Sequence, residues 1–217
     1  MDFKKRKKLV ESLESLGYIR TEKVKKAMLK VPREYFVPKE LKNLAYLDEP
    51  LRIPGNVTIS APHMHAISLE SLKLKKGDKF LEVGAGSGIL LAYAYEIIKE
   101  ENKVFGIEIV RETYEFAKEN LRRAGYLDKV KLIHADGSLG LKEEAPFDKI
   151  LISAAAPDFP KPLIEQLKVK GIIVSIIGSP YGEQFLIRGK KLKNGKMIKE
   201  NLLPVIFVPL RGKYGWR

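Results

Sequence analysis

Two acidic residues flank a glycine-rich segment whose spacing could hold a small ligand. Glu82 lies at the end of a short apolar run, and Gly84, Gly86 and Gly88 follow at alternate positions. Glycines allow a sharp turn and leave room for a ligand against bare main chain. Glu108 follows Gly88 by twenty residues, about where a carboxylate accepts hydrogen bonds from a ribose. The pattern predicts a strand, a turn and a helix that bind a nucleoside.

The type of nucleoside follows from the glycine spacing and from Glu82. A pyrophosphate-binding turn usually reads G-x-G-x-x-G, whereas this one reads G-x-G-x-G. Glu82 would repel a diphosphate but suits a cofactor with a cationic end. S-adenosyl-L-methionine has an amino group, a sulfonium, a ribose and no phosphate, so we expect this cofactor. A tight strand-to-helix turn without any ligand is the alternative.

Strands and helices alternate from residue 77 onwards, which predicts a mostly parallel sheet covered on both faces. Ligands bind such sheets at the carboxyl ends of the strands. Glu82, Glu108, Asp136 and Ala154 all fall at predicted strand ends. The predicted strands are 79–83, 103–108, 129–134, 148–153 and 172–177, and the predicted helices are 89–99, 111–124 and 160–167.

Two extended runs, 184–193 and 196–208, close the chain and are joined by Asn194-Gly195. Asn-Gly between strand patterns is a strong hairpin signal. An antiparallel hairpin after a parallel sheet is characteristic of the Rossmann-like S-adenosylmethionine-dependent methyltransferase fold. We therefore predict this α/β fold, with the methyltransferase domain at 77–217.

Residues 1–76 are predicted to form a helical extension that carries an active-site loop and packs on the main domain. Apolar spacing indicates helices over 3–16 and from Thr21, a capping residue, to Val31. Residues 32–57 are predicted to be loops, with one short helical turn near Leu41. Pro62 suits a first helical position, so a further helix is expected there.

Composition excludes several classes of protein. The 217 residues include no cysteine, which excludes disulfides, thiolate nucleophiles and cysteine zinc sites. No apolar run reaches membrane length and no signal peptide is recognisable, so a cytoplasmic protein is expected. The net charge of +13 invites an acidic partner, but solvated faces explain it better than nucleic-acid binding.

Ser60 and two nearby histidines are further candidates. Ser60 lies just before the helix expected at Pro62, so it is either a helix N-cap or a functional residue. His63 and His65 could suggest a metal pair, but His134 is the only other histidine. No third ligand has suitable spacing, so no metal site is expected.

Several segments together resemble the protein-L-isoaspartate O-methyltransferase family, over nearly the whole chain. The segment Thr58-Ile59-Ser60-Ala61-Pro62-His63-Met64 is far more specific than the glycine turn. Ala135 departs from the glycine that members often have, and Ile109 is within the expected variation. The other matching segments are 31–38, 45–48, 65–66, 81–88, 136–137, 154–157, 166–168 and 207–210.

The resemblance implies roles for individual residues. Ser60 is the position that the family would mark as catalytic, and with His65 it covers the methyl-transfer site. Glu108 holds the ribose, and Asp136 and Gly137 flank the adenine. The methionine portion lies along Gly84, Gly86 and Ser87. The remaining cofactor contacts implied are Thr58, Ile59, Glu82, Ala85 and Ile109.

The implied substrates are proteins and peptides that contain L-isoaspartyl residues. The free α-carboxylate of such a residue is already ionised at pH 7, so Ser60 is expected to position it rather than act as a nucleophile. The expected products are S-adenosyl-L-homocysteine and a methyl ester, which collapses to a succinimide and starts repair. No membrane and no specific nucleic acid are expected as partners.

Two alternatives remain on the same fold. An RNA or DNA methyltransferase is favoured by the charge, but cytosine C5 chemistry needs a cysteine. Exocyclic amine chemistry usually uses an Asp/Asn-Pro-Pro-aromatic turn, where this chain has Ala154-Ala155-Ala156-Pro157. A non-catalytic polyanion-binding module would be expected to have a damaged cofactor turn, yet the glycines and both acidic residues are present.

Overall fold

The computed structural model describes residues 2–216 as two sheets and six α-helices. The strands in chain order are β1 Leu51–Ile53, β2 Val57–Ile59, β3 Phe80–Val83, β4 Val104–Glu108, β5 Lys131–His134, β6 Phe147–Ala156, β7 Leu167–Gly178, β8 Gln184–Lys191 and β9 Met197–Pro204. The helices are α1 Phe3–Ser15, α2 Glu22–Lys30, α3 Pro62–Leu72, α4 Ile89–Ile98, α5 Arg111–Ala124 and α6 Lys161–Gln166.

The main sheet has seven strands in the order β5-β4-β3-β6-β7-β8-β9. The first five of these run parallel, and β8 is antiparallel to both β7 and β9. Because β3, β4 and β6 are parallel neighbours, their carboxyl ends share one edge of the sheet. The α/β methyltransferase fold with a C-terminal antiparallel pair is confirmed.

Two strand bounds differ from the prediction by four or five residues, more than the other strand bounds do. β7 begins at Leu167 rather than 172, because α6 already ends at Gln166. β9 ends at Pro204 rather than 208, because the chain then leaves β8 and crosses to β6. The crossing is fixed where the Leu210 amide donates to the Ala155 carbonyl at 2.7 Å.

Close packing of α4 on the sheet depends on a glycine in β4. Helix α4 is buried on most of its surface, as its almost wholly apolar sequence predicts. A Cβ at Gly106 would lie 2.5 Å from a methyl group of Leu91. The helix therefore approaches β4 closely, and its amino end is held over the carboxyl end of β3.

The N-terminal helices share the core of the sheet domain. Val10 and Leu13 of α1 and Val24 and Met28 of α2 belong to the same buried apolar cluster as α4. The division at residue 76 stays a prediction.

No helix within residues 2–216 combines the length and the apolar character that crossing a bilayer needs.

Residues 32–57 contain more structure than predicted. Two 3-10 turns, Arg33–Tyr35 and Lys39–Leu44, precede the antiparallel hairpin of β1 and β2. Each hairpin strand has only three residues, too few for an alternating pattern.

The role of Thr21 also differs from the prediction. Thr21 is the N-cap residue of α2, but its hydroxyl donates to Glu70 at 2.9 Å instead of capping the helix.

Candidate active site

A cavity lies at the carboxyl ends of β3, β4 and β6. The segment from β2 to α3 covers one side, and the C-terminal crossing segment forms another wall. Twelve of the thirteen residues predicted to bind cofactor or substrate line it. They are Thr58, Ile59, Ser60, His65, Glu82, Gly84, Ala85, Gly86, Ser87, Glu108, Ile109 and Gly137.

The glycine turn after β3 has the left-handed backbone that its sequence predicts. Gly84, Gly86 and Gly88 have φ values of 81°, 55° and 84°, which residues with a Cβ rarely adopt. A Cβ at Gly88 would also lie 3.1 Å from Leu121 of α5. The turn therefore needs these glycines for its conformation and for the packing of α5 beside it.

The amides of this turn are largely occupied by hydrogen bonds within the protein. Gly84 and Ala85 donate to the Ile107 carbonyl, at 2.9 and 3.1 Å. Gly86 donates to Glu108, and Gly88 and Ile89 donate within the turn. Five of the six amides from Gly84 to Ile89 thus have acceptors, which disfavours a phosphate cradle of the P-loop kind.

Glu108 joins β4 to the glycine turn. It is 6% exposed, and its two carboxylate oxygens accept from the Gly86 and Val110 amides, each at 3.0 Å. Each oxygen keeps lone-pair capacity for a further donor. The carboxylate can therefore accept from a pair of neighbouring hydroxyls such as those of a ribose.

Glu82 is a buried carboxyl group with one free oxygen. It is 3% exposed; Oε1 accepts from the Ser153 hydroxyl at 3.0 Å, and Oε2 has no partner. Burial raises the pKa of Glu82 well above its ordinary value and the nearby Glu108 adds to this, while the Ser153 hydrogen bond acts against it. A cationic group is the natural partner for such an oxygen, so the site fits the ammonium and sulfonium end of S-adenosylmethionine.

Ser60 lies in the connection between β2 and α3 and lines the cavity. It is not the helix N-cap: Ala61 has that position, Pro62 is the first helical residue, and no side chain caps the helix. The Ser60 carbonyl accepts from Arg33 Nη2 at 2.8 Å. The backbone of this segment is therefore fixed by a buried side chain that the sequence analysis did not single out.

His63 and His65 point to different partners. His63 lies 3.0 Å from Asp48 through Nδ1, whereas His65 is buried beside Arg33, with 3.3 Å between Nδ1 and Nη1. Burial, then the charge of Arg33 and the neighbouring His63, hold the pKa of His65 well below its usual value. Within residues 2–216 no group of three or more His, Cys, Asp or Glu side chains could hold a metal ion.

Asp136 is the one predicted cofactor residue that does not line the cavity. Its carboxylate accepts from the amide and hydroxyl of Ser138, at 2.9 and 2.7 Å, and from the Lys213 amide at 2.8 Å. It therefore anchors the C-terminal segment. Gly137 does line the cavity, and a Cβ there would lie 2.6 Å from Val83.

Residues 207–211 form the C-terminal wall of the cavity; a wall from the C-terminal hairpin was expected, but these residues were not predicted to line the cofactor cavity. Phe207, Val208, Pro209, Leu210 and Arg211 line the cavity beside Ala154. The Phe-Val-Pro-Leu segment resembles the family, but its first two residues fall in the predicted hairpin strand 196–208. Nothing local in the sequence shows that the chain crosses back to β6 at this point.

Known proteins match this chain over nearly its whole length. The family model for protein-L-isoaspartate(D-aspartate) O-methyltransferase matches residues 4–215. A Hyperthermus butylicus protein-L-isoaspartate O-methyltransferase is 51% identical, covering 98% of this chain and 90% of the relative. The corresponding Thermococcus sibiricus protein is 50% identical, covering 99% and 97%.

Solved structures agree in fold. A Plasmodium falciparum protein assigned as a protein-L-isoaspartate O-methyltransferase, in complex with S-adenosyl-L-homocysteine, superposes with a TM-score of 0.84 at 34% identity and covers 95% of this chain and 98% of its own. A second structure of a protein-L-isoaspartate O-methyltransferase gives 0.85 at 28% identity, covering 97% and 67%. The chain therefore belongs to the protein-L-isoaspartate(D-aspartate) O-methyltransferase family.

Proposed function

We propose that this protein methylates the free α-carboxylate of L-isoaspartyl residues in damaged proteins, with S-adenosylmethionine as donor and S-adenosylhomocysteine as product. The methyl ester then collapses to a succinimide, which opens partly to normal aspartate and so starts repair. The observation that carries this proposal is the cavity itself. It places the buried carboxyl groups of Glu82 and Glu108 at the strand ends beneath the Ser60 segment, in a chain that matches the family from end to end.

The cofactor contacts are assigned from the chemistry of the lining residues. The free oxygen of Glu82 would face the cationic methionine end, with the glycine turn alongside. Glu108 would accept from the ribose hydroxyls, and Gly137 would leave flat space for the adenine. When bound, S-adenosylmethionine supplies an electrophilic methyl group carried by a sulfonium.

Ser60 acts as a hydrogen-bonding positioner. The substrate carboxylate is ionised at neutral pH, so the site needs no strong general base. His65 supplies none, because its Nδ1 already faces Arg33. Holding the carboxylate in line can contribute up to about 7–11 kcal/mol to the lowering of the barrier. The carboxylate loses its charge in the reaction, so a covered, water-poor site favours the step.

The proposed partners are isoaspartyl proteins and peptides in the cytoplasm. Such an enzyme accepts many sequences around one abnormal linkage, so it reads backbone and carboxylate more than side chains. The N-terminal extension and the C-terminal segment would form the walls of that groove. Neither a membrane nor a specific nucleic acid belongs to this function, although a net charge of +13 attracts polyanions in general.

The decisive experiment uses three acceptors with radiolabelled S-adenosylmethionine. Two are synthetic peptides that differ only in an isoaspartyl or an aspartyl linkage, and the third is tRNA. We expect base-labile label on the isoaspartyl peptide only. Equal labelling of the aspartyl peptide, or labelling of the tRNA in place of the peptides, would contradict the proposed substrate.

A further inference from the structure

Arg33 is a buried cation whose partners are all neutral. Its side chain is 1% exposed, and burial lowers the pKa of Arg33 to about 10. Nη2 donates to the Ser60 carbonyl, Nη1 faces His65, and Nε has no partner. The charge of Asp48 acts against this lowering of the pKa, but within residues 2–216 no carboxylate forms an ion pair with Arg33. A buried charge without a counter-ion is expensive, so its position beside two cavity residues calls for a functional explanation.

The contact between Arg33 and His65 fixes the tautomer of the histidine. A guanidinium carries five N–H donors and no acceptor. At 3.3 Å from Nη1, His65 Nδ1 must therefore be the acceptor. The ring is then a neutral imidazole with its proton on Nε2, because a protonated ring would set one N–H group against another.

The same guanidinium also fixes Ser60. Its second nitrogen holds the Ser60 carbonyl at 2.8 Å, at the point where the chain passes from β2 into α3. Ser60 and His65 both line the cavity; Ser60 precedes the N-cap residue Ala61, and His65 lies in the first turn of α3. One buried side chain thus sets the position of the serine and the orientation of the histidine.

We propose that Arg33 is a positioning residue for methyl transfer, which holds the Ser60 backbone in place and keeps His65 as a neutral Nε2–H imidazole beside the reactants. This proposal rests on the proposed function. A neutral donor can orient the attacking carboxylate without forming an ion pair with it. A cationic His65 would stabilise the ionised ground state and so slow the step in which that charge is lost.

The surroundings of His65 favour the neutral ring over the whole physiological range. The titratable and charged groups that face it are Arg33 from the 3-10 turn, Tyr93 from α4 and His63 from its own helix. Burial raises the pKa of Tyr93 to about 12, so this ring neighbour stays uncharged. No carboxylate is among these neighbours to favour an imidazolium.

The first test is nuclear magnetic resonance on the wild-type protein without ligand. Long-range 1H–15N spectra distinguish a protonated ring nitrogen from a bare one, and His65→Gln identifies the signals of this residue among three histidines. We expect Nδ1 bare and Nε2 protonated from about pH 5.5 to 8, where an ordinary histidine titrates. A proton on Nδ1, or titration with an ordinary pKa, would overturn the proposal.

The second test removes the guanidinium. We expect Arg33→Met to mix the two His65 tautomers and to lower kcat on the isoaspartyl peptide about ten- to a hundredfold, as loss of alignment does. Arg33→Lys keeps the charge but reaches only one of the two acceptors, so its kcat should lie between those of the wild type and Arg33→Met. The surface change Arg122→Met is the matched control and should alter neither value.

The outcomes separate the two proposals. A folded Arg33→Met protein that keeps the wild-type tautomer and a kcat within twofold of wild type would overturn the role of Arg33. If Arg33→Met does not fold, the kcat of Arg33→Lys and the His65 tautomer in the wild-type spectrum still test the role of Arg33. A wild-type protein with the expected tautomer but no isoaspartyl activity would instead reject the proposed function.

Discussion

The Glu108 carboxylate accepts a hydrogen bond from the Gly86 amide at 3.0 Å, which ties the end of β4 to the turn after β3. Its other oxygen holds the Val110 amide at the start of α5, also at 3.0 Å. The residue proposed to bind the ribose thus also shapes the turn proposed to hold the methionine portion. A change at Glu108 should therefore affect the whole cofactor site.

Glu108→Gln should weaken cofactor binding. The amide of glutamine has one acceptor oxygen, so its nitrogen would oppose either Gly86 N–H or Val110 N–H. Loss of a charged hydrogen bond amounts to about 1.5–3 kcal/mol, so we expect the Kd for S-adenosylhomocysteine to rise about ten- to a hundredfold by calorimetry. Glu112→Gln, at an exposed position on α5, is the control. An unchanged Kd would place the ribose elsewhere.

Ser60→Ala should lower turnover while leaving the cofactor in place. The hydroxyl is proposed to position the substrate carboxylate, whereas the carbonyl held by Arg33 is unaffected by the substitution. We expect kcat to fall about ten- to a hundredfold and the Kd for S-adenosylhomocysteine to stay within about threefold, about 0.6 kcal/mol. Ser15→Ala on the exposed face of α1 is the control. A large loss of cofactor binding would assign Ser60 a different role.

Glu82→Gln should stabilise the ligand-free protein at neutral pH. Because burial raises the pKa of Glu82 in the folded state, its ionisation opposes folding. Wild-type stability is therefore greatest below the unfolded pKa of the carboxyl and declines as pH rises towards the folded pKa. If the substitution raises the free energy of unfolding by about 1 kcal/mol, Tm at pH 7 should rise by about 2–4 °C. This increase should vanish near pH 4. Equal Tm values for the wild type and Glu82→Gln at pH 7 would show that ionisation of Glu82 does not oppose folding.

Cofactor binding should depend on pH through the same group. Below its raised pKa, Glu82 has to release a proton before it can pair with a cation, so affinity should fall as pH falls, by up to about tenfold per pH unit. Calorimetry in buffers of different ionisation enthalpy should detect the released proton. Glu82→Gln should bind more weakly at neutral pH and without proton release. Proton release that persists in this variant would identify another group.

Asp136→Asn should loosen the C-terminal wall. The carboxylate binds the Lys213 amide and Ser138, and the asparagine nitrogen would leave one of these donors unmatched. We expect faster proteolysis after Leu210 and a severalfold higher KM for peptide, with Tm nearly unchanged. Asp128→Asn serves as the control. Unchanged proteolysis with a much weaker Kd for S-adenosylhomocysteine would support the predicted adenine contact of Asp136 instead.

Asn194-Gly195 makes the protein a candidate substrate for itself, since this dipeptide is the type most prone to form isoaspartate. In the folded turn the Gly195 amide donates to the Leu192 carbonyl at 3.0 Å, and the Asn194 side-chain oxygen accepts from the Lys196 amide at 3.1 Å. Both bonds oppose ring closure between Asn194 and Gly195.

We therefore expect methyl label at residue 194 after ageing in urea and refolding, and much less after ageing in the folded state. Peptide mapping would measure both, with Asn194→Gln as the unlabelled control. Equal labelling after the two treatments would show that the turn gives no protection, and no label after either would end the idea.

The sequence by itself determined the class of fold and most of the predicted residues that line the cavity. Glycines at 84, 86 and 88 adopt the backbone that their spacing predicts, and Glu82 and Glu108 lie at neighbouring strand ends. These features are local: each depends on a strand, a turn and the rule that parallel strands end at one edge. Twelve of thirteen predicted residues therefore line one cavity.

Only the tertiary structure decided what lies around those residues. Arg33 contacts Ser60 and His65, which are separated from it by 27 and 32 positions in the chain. Asp136 binds the amide of Lys213, which is 77 positions away. No periodic pattern records such contacts, because they arise when separate elements pack around a shared core. That packing buries the guanidinium of Arg33, brings the C-terminal wall back to β6 and leaves one oxygen of Glu82 free.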